Sequence, residues 1–284
     1  MALQDFIPPH RLLLGPGPSL VHPRVLRALS APLVGHLDPA FLGIMNDIQV
    51  LLRLVFQTDN QCTIAISGTG SAGMEASIVN LVEPGDAVAV GINGVFGTRL
   101  ASVVERCGGK VVRLEAPWGT CIEAGAVEEA LARSGPVKAL AIVHAETSTG
   151  VWQPLEEISN LCRQHGALFV VDAVTSLGGM PVDVDRLGID VCYSGSQKCL
   201  SCPPGLSPFT MSERALAAVK QRRTPCQSWY MDMGLIAGYW TEGTRAYHHT
   251  APISMLYALR EGLRLVEEEG LPARFTRHQL NSKA

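Results

Sequence analysis

The chain reads as an α/β protein, a mostly parallel sheet held between layers of helices, and three observations carry that reading. Six short runs, 62–66, 87–92, 110–114, 140–144, 167–171 and 189–193, are nearly continuous in apolar residues and do not alternate. A strand that is apolar on both faces must be covered on both faces, the usual condition of a parallel sheet. Segments of helical spacing stand between these runs, and Gly/Pro breaks such as Glu83-Pro-Gly-Asp86 and Ser134-Gly-Pro136 separate one element from the next.

Taken in order, Leu14-Gly-Pro-Gly-Pro18 is a rigid entry turn, either a plain loop or a backbone wall beside a site. Phe41, Ile44, Ile48, Leu52 and Val55 recur every three or four residues and predict a helix with one buried face. The strand at 62–66 is followed by a helix over 72–82, the strand at 87–92 by a helix over 96–107, and the strand at 110–114 by a helix over 125–133. After the strand at 140–144 comes a helix over 154–165, and then the strands at 167–171 and 189–193. Leu256, Leu259, Leu263 and Val266 mark a last helix. No internal repeat, low-complexity stretch or charged linker interrupts the pattern.

Composition narrows the function classes. With 284 residues, 47% hydrophobic and 17% charged, the chain can bury a large core. Its 23 basic and 26 acidic residues leave a net charge of -3, which offers no electrostatic reason to expect nucleic acid or an anionic membrane as partner. The eight cysteines are scattered through apolar runs as small hydrophobes, which suits a reducing, intracellular compartment. The cytoplasm is favoured, with a peroxisomal or mitochondrial address left open. Cys199-Leu-Ser-Cys202 has ligand-like spacing but no second pair or histidine cluster to complete a zinc site, so no metal is expected. The first ten residues lack the pattern of a secretory signal, and no apolar run is read as long enough to span a membrane.

The chemistry is concentrated at two strand ends. Lys198 closes Tyr193-Ser-Gly-Ser-Gln-Lys198, a run of small and polar residues just after an apolar strand. A lysine removed from water has its amine freed to form a Schiff base with a carbonyl. Asp172 ends the apolar run Leu168-Phe-Val-Val-Asp172. An amine for an aldehyde and a carboxylate for a pyridinium nitrogen are the two groups that a pyridoxal 5'-phosphate (PLP) site requires. Gly68-Thr-Gly-Ser-Ala-Gly73 is a literal G-x-G-x-x-G between a strand and a helix, but the acidic residue that a dinucleotide site needs at the end of the next strand is absent, since 87–92 runs into Asn93-Gly94 and Asp86 lies before it. What survives is a phosphate cradle at a helix N-terminus, with the hydroxyls of Thr69 and Ser71 as further donors. A purely structural glycine turn is the plain alternative.

Together these segments resemble the class V (fold type I) PLP-dependent aminotransferases, in particular the alanine–glyoxylate and serine–pyruvate (serine–glyoxylate) group. The resemblance runs in family order through Leu14-Gly-Pro-Gly-Pro-Ser19, Ser67-Gly-Thr-Gly-Ser-Ala-Gly-Met-Glu75, His144-Ala-Glu-Thr-Ser-Thr-Gly150, Val171-Asp-Ala-Val-Thr-Ser-Leu-Gly-Gly179, Ser194-Gly-Ser-Gln-Lys198, Pro203-Pro-Gly205 and Tyr247-His-His-Thr-Ala-Pro252. It implies a fold type I large domain over 21–255, an N-terminal arm and substrate-side loop over 1–20 that brings Gly17 to the substrate, and over 256–284 the start of a helix leading to a truncated small domain.

The resemblance also implies roles. Lys198 would hold PLP as a Schiff base and carry the proton, while Asp172 would keep the pyridine nitrogen protonated. Phe96 would stack on one face of the ring, where the family often has tryptophan, and Val174 would pack on the other. Thr147 would lie near the phenolic oxygen. Thr69, Gly70, Ser71 and Gln197 would hold the phosphate, with Tyr247 and Thr250 donated by a second subunit of a homodimer; some relatives carry histidine at the position of Ser71. His248 and His249, as neighbours in sequence, are expected to point different ways and to serve as interface polar residues.

Three readings of function follow. The first is transfer of an amino group from alanine or serine to glyoxylate or a related 2-oxo acid. The second is other class V chemistry, such as ureidoglycine–glyoxylate transamination or a desulfurase-like reaction; Cys199 and Cys202 sit too near Lys198 for the mobile cysteine the latter needs. The third is a truncated, non-catalytic dimerising form, because the family's carboxylate-clamping arginine has no counterpart. Arg260, Arg264 and Arg274 are not promoted to that role.

Overall fold

The computed structural model describes residues 8–241 and 245–284, so the first seven residues of the expected arm lie outside the described residues. Among the described residues a seven-stranded sheet is built from β1 (Cys62–Ser67), β2 (Ala87–Ile92), β3 (Lys110–Glu115), β4 (Ala139–Val143), β7 (Leu168–Asp172), β8 (Val191–Tyr193) and β9 (Leu206–Met211). A small hairpin of β5 (Ala145–Glu146) and β6 (Val151–Trp152) follows β4. The sheet order is β1-β9-β8-β7-β4-β2-β3, with β9 antiparallel to both neighbours and the other pairings parallel. The expected parallel sheet is therefore present. Every residue of β4 and β7 is buried, as continuous apolar runs require when helices cover both faces.

The helices are α1 (Pro23–Leu29), α2 (Pro39–Phe56), α3 (Gly70–Leu81), α4 (Val95–Arg106), α5 (Ala124–Arg133), α6 (Glu156–Gln164), α7 (Glu213–Lys220), α8 (Met233–Trp240), α9 (Ile253–Glu269) and α10 (Leu271–Lys283). The start of α2 is set locally: Asp38 accepts from Ala40 N at 2.8 Å and Pro39 takes the first helical position, where no amide donor is missed. Such a cap contributes about 1 kcal/mol. Phe41, Met45, Ile48, Leu52 and Val55 then form its buried stripe, which packs against α9 and β1.

Three sequence expectations need correction. First, α2 is 18 residues long with a mean hydropathy of 1.4, long and apolar enough by those measures to cross a membrane. Length alone does not separate such a segment from a core helix, and here seven of its residues are buried against the sheet and α9. Second, β9 is absent from the expected strands because Pro208 sits at its centre, and proline reads as a breaker of central strands. Burial overrides the missing donor: all six residues of β9 are buried, and the Pro208 carbonyl still accepts from Ser194 N at 2.8 Å. Third, α1, α7 and α8 are short helices with too few turns for a visible periodicity.

The topology places the site. The chain goes from β2 outward to β3 and then returns to β4 on the other side of β2. In open α/β sheets such a reversal opens a crevice at the carboxyl ends of the strands. Asn93 after β2, Ala145 after β4, Asp172 at the end of β7 and Ser194 after β8 all lie on that edge.

Candidate active site

Lys198, Asp172, Thr69, Gly70, Ser71, Phe96, Val174 and Gln197 line one cavity of about 180 Å³, together with Met74 and Arg99. Residues that are up to 129 positions apart in sequence thus meet because their strands end on one edge. A cavity of about 620 Å³ lies elsewhere, bounded by Leu20, Leu200, Gly262 and Arg274, and holds neither Lys198 nor Asp172.

Asp172 is the deepest member. It is buried, its Oδ1 accepts from Val174 N at 2.9 Å and its Oδ2 accepts from the Tyr193 hydroxyl at 2.8 Å. Burial outweighs these two bonds and raises the carboxyl pKa from its ordinary value to about 6. A carboxylate destabilised in this way gains most from a cation placed against it. Tyr193, buried at the end of β8 and facing Asp172, has its own pKa pushed well above the ordinary value, so it stays a neutral donor. Its partnership with Asp172 follows from β7 and β8 lying parallel in register, Asp172 opposite Tyr193.

The Lys198 amine donates to the Pro16 carbonyl at 2.9 Å. The entry turn is pinned to the lysine loop by Ser19, whose amide donates to Gln197 O at 3.0 Å and whose hydroxyl donates to Lys198 O at 2.9 Å. Gly17 is required there. Its φ is +127°, and a Cβ would fall 2.6 Å from Lys198 Cδ and 2.9 Å from Nζ. The arm is thus a wall against the lysine, as one of the two sequence readings has it.

The start of α3 is a set of unspent donors. Thr69 is its N-cap residue but makes no side-chain cap bond, so the first amides and the Thr69 and Ser71 hydroxyls are available to an anion. Gly70 allows close approach, since a Cβ would meet Val174 Cγ2 at 2.9 Å. Gln197 lines the same cavity, and its buried Oε1 has no hydrogen-bond partner among the described residues; a half-turn of the amide presents Nε2 as a donor instead. A pocket with an amine, a buried carboxylate, an uncapped helix N-terminus and an unpaired amide fits a phosphorylated, cationic aldehyde.

Around the cavity a buried network fixes the walls. Glu146 accepts from Phe96 N at 3.1 Å and Gly97 N at 3.3 Å, capping α4, and from Ser148 N at 3.1 Å and the Ser148 hydroxyl at 2.6 Å. An anion at a helix N-terminus is favoured by the helix dipole as well as by these bonds. Thr147, beside it, does not line the cavity; its hydroxyl is hydrogen-bonded to that of Thr175. His144 accepts from Trp152 Nε1 at 3.0 Å on Nε2, so the ring proton lies on Nδ1 and is donated to Ser176 Oγ at 2.9 Å. Burial lowers the His144 pKa to about 4, so this imidazole is neutral and structural.

Tyr247 and Thr250 stand outside the cavity. The Tyr247 hydroxyl lies 3.3 Å from that of Thr250, and its ring is exposed and packs on His36. The expectation that His248 and His249 point different ways is wrong. Their Nδ1 atoms are 2.7 Å apart with the rings at 85°, and His249 Nε2 reaches Ser67 Oγ at 2.7 Å. The irregular backbone there removes the alternation that the expectation relied on. Cys199 and Cys202 are both held as thiols by burial, which raises the Cys202 pKa to about 12. Glu146, Tyr193 and Arg99 are site residues that sequence reasoning missed. Only Arg99 had a local signal, the helical spacing from Phe96.

Comparison with known proteins agrees with this geometry. The profile of the family described as "Aminotransferase class-V" matches residues 15–283. The chain is 45% identical to the alanine–glyoxylate aminotransferase of Oryctolagus cuniculus over 95% of its own length and 69% of that protein. It is 42% identical to the (S)-ureidoglycine–glyoxylate transaminase of Bacillus subtilis over 99% of its length and 71% of that protein. It superposes on the crystal structure of an alanine–glyoxylate aminotransferase from Nostoc sp. with a TM-score of 0.97 and 53% identity, covering 100% of this chain and 74% of that one. With the family's motifs in order and a match across almost its whole length, the chain belongs to the class V aminotransferases.

Proposed function

We propose that the chain is a PLP-dependent aminotransferase that moves an amino group from alanine or serine to glyoxylate or a related 2-oxo acid. The observation that supports this most is the meeting of Lys198, Asp172 and the uncapped start of α3 in one cavity. When bound, PLP supplies an electron sink for the carbanion formed at the substrate Cα.

The residues divide the remaining work. Lys198 Nζ is the amine that would hold the cofactor through its aldehyde, and the same amine would serve as the base for the proton at the substrate Cα. Asp172 holds a proton at the pyridine nitrogen by charge, and the desolvation that raises its pKa is relieved by that cation. The amides and hydroxyls of Thr69, Gly70 and Ser71, with Gln197, hold the phosphate. Phe96 and Val174 would confine the ring from its two faces, and Thr147, hydrogen-bonded to Thr175 outside the cavity, would have to turn inward to reach the phenolic oxygen. Gly17 and Pro16 bound the substrate side of Lys198 and keep its amine in place.

The working unit is a homodimer on this reading. Tyr247 is 57% exposed and His36, on which it packs, is flanked by exposed Leu33 and Leu37. An exposed apolar and aromatic patch of this kind suits a second copy of the chain, with Tyr247 and Thr250 entering the partner's phosphate cup. Ureidoglycine–glyoxylate transamination is the second reading, favoured by the 42% identity to the Bacillus subtilis transaminase.

The test is to load the purified protein with PLP, reduce with borohydride and map the labelled peptide, then to follow half-reactions with alanine, serine, cysteine and ureidoglycine. The expected label is on Lys198, with amino-group transfer from alanine or serine to glyoxylate. A label on another lysine removes Lys198 from this role, and sulfide from cysteine without pyruvate from alanine defeats the substrate assignment.

A further inference from the structure

Arg99 is the only charged side chain besides Lys198 and Asp172 that lines the cavity, among the described residues. It lies three residues after Phe96 on α4, so the two share a helix face, and its guanidinium stands over the Phe96 ring at 4.9 Å from the centroid. Neither an ion pair nor a hydrogen bond holds it among the described residues. The arginines of the last two helices differ. Arg260 pairs with Asp47 at 2.7 Å, Arg264 with Glu261 at 3.1 Å and Arg274 with Glu269 at 2.6 Å, and none of these three lines the cavity.

The charge balance of the site gives this free cation a purpose. A phosphate monoester carries about -1.5 to -2 at neutral pH. The donors gathered for it, Thr69, Gly70, Ser71 and Gln197, are all neutral, and the α3 terminus supplies only about half a positive charge. The amine of Lys198 is committed to the cofactor aldehyde. A carboxylate on an amino-acid or 2-oxo-acid substrate is an anion of the same kind, to which the neutral donors lining this cavity offer no full charge. Arginine offers two parallel donors in a fork that matches either oxyanion.

We propose that Arg99 is an anion-binding residue of this site, turning from the Phe96 face to pair with an oxyanion, either the cofactor phosphate or the substrate carboxylate. The proposal rests on the PLP reading above. It adds the counter-ion that the neutral donors lack, and Phe96 becomes the resting place of the guanidinium as well as a wall of the cavity.

The experiment uses the full chain, freed of cofactor, as parent, Arg99→Gln and Arg99→Lys. Dissociation constants are measured by absorbance for PLP and for pyridoxal, which lacks the phosphate. The PLP-loaded proteins are then titrated with alanine and with ethylamine, which lacks the carboxylate. If the phosphate is the partner, Arg99→Gln weakens PLP by about 10- to 100-fold, the range of a charge-assisted bond, leaves pyridoxal unchanged, and Arg99→Lys recovers part of the loss. If the carboxylate is the partner, PLP affinity is unchanged and alanine weakens by a similar factor while ethylamine does not. The proposal is overturned if Arg99→Gln changes none of the four, or changes pyridoxal and ethylamine as much as their charged counterparts, which would make Arg99 a prop for Phe96 alone. A parent that binds neither PLP nor pyridoxal refutes the cofactor reading and the Arg99 proposal with it, whereas a parent that binds PLP beside an indistinguishable Arg99→Gln sinks only the latter.

Discussion

Replacing Asp172 with asparagine should make the cofactor-free protein more stable at pH 8 and less able to hold PLP. Burial raises the Asp172 pKa from 3.8 to about 6, so the folded state binds more protons than the unfolded chain between those values. Stability associated with this group is full below the unfolded value and is lost as pH rises through about 6. Two pKa units correspond to about 3 kcal/mol, the gross cost of keeping the anion buried at pH 8. Asparagine removes that cost. Its Oδ1 can still accept from Val174 N, and its Nδ2 can donate to the Tyr193 oxygen, but the Tyr193 proton then lacks an acceptor, which costs about 1 to 2 kcal/mol. The net gain is about 1 to 2 kcal/mol, or about 3 °C in melting temperature for a chain of this size.

The assay is a set of thermal melts of parent and Asp172→Asn, without and with saturating PLP, from pH 4 to pH 8. Without PLP the variant should melt higher at pH 7 to 8, lose its advantage near pH 5 to 6 as the parent carboxyl takes a proton, and melt lower at pH 4, where only the Tyr193 penalty remains. His144 works in the opposite direction. Its pKa is lowered to about 4, so its contribution is present above 6.5 and lost as pH falls through about 4, but it is common to both proteins and cancels in the difference. With PLP the order at pH 8 should reverse, because only the parent pairs an anion with the ring nitrogen. A cofactor-free variant that melts below the parent at pH 8, or a difference indifferent to pH, would refute the claim that Asp172 is held as a destabilised anion awaiting a cation.

Other substitutions test the walls. Glu146→Ala removes the acceptor shared by Phe96, Gly97 and Ser148 and should cost about 3 kcal/mol in a denaturant melt; an unchanged midpoint would show that water replaces the carboxylate at no cost. Gly17→Ala places a methyl against Lys198 at a φ that side chains rarely adopt, so the rate of PLP attachment should fall by about tenfold or more, and an unaltered rate would mean that the entry turn yields freely. Subunit exchange tests the shared cup. Neither Lys198→Ala nor the double variant Tyr247→Phe, Thr250→Val should bind PLP as the parent does, but mixing them should create one intact site per heterodimer, and mixtures no better than either component would count against donation across an interface.

What the sequence made legible is what lies next to an apolar run. Asp172 ends one and Lys198 follows another, and a parallel sheet that buries such runs brings their ends to one edge, so the two groups that define the site could be paired without coordinates. The residues that stayed hidden act across long separations. Glu146 meets Phe96 from 50 positions away, and Pro16 meets Lys198 from 182 away, and neither contact leaves a mark on the local pattern of either segment. Pro208 shows the converse, a local signal that forbids a central strand and is overruled by the burial of the whole of β9. The division has a chemical consequence. The groups legible in sequence, an amine, a carboxylate and a helix N-terminus, supply what any PLP site needs, whereas the hidden contacts decide how those groups are held: Tyr193 and Val174 orient Asp172, Glu146 sets the angle at which α4 presents Phe96 and Arg99, and the entry turn limits the reach of Lys198. Substitutions in the first set should therefore weaken cofactor binding most, with loss of the Lys198 amine removing covalent attachment altogether. Those in the second should shift affinity, pH dependence and substrate preference while leaving a protein that still binds PLP.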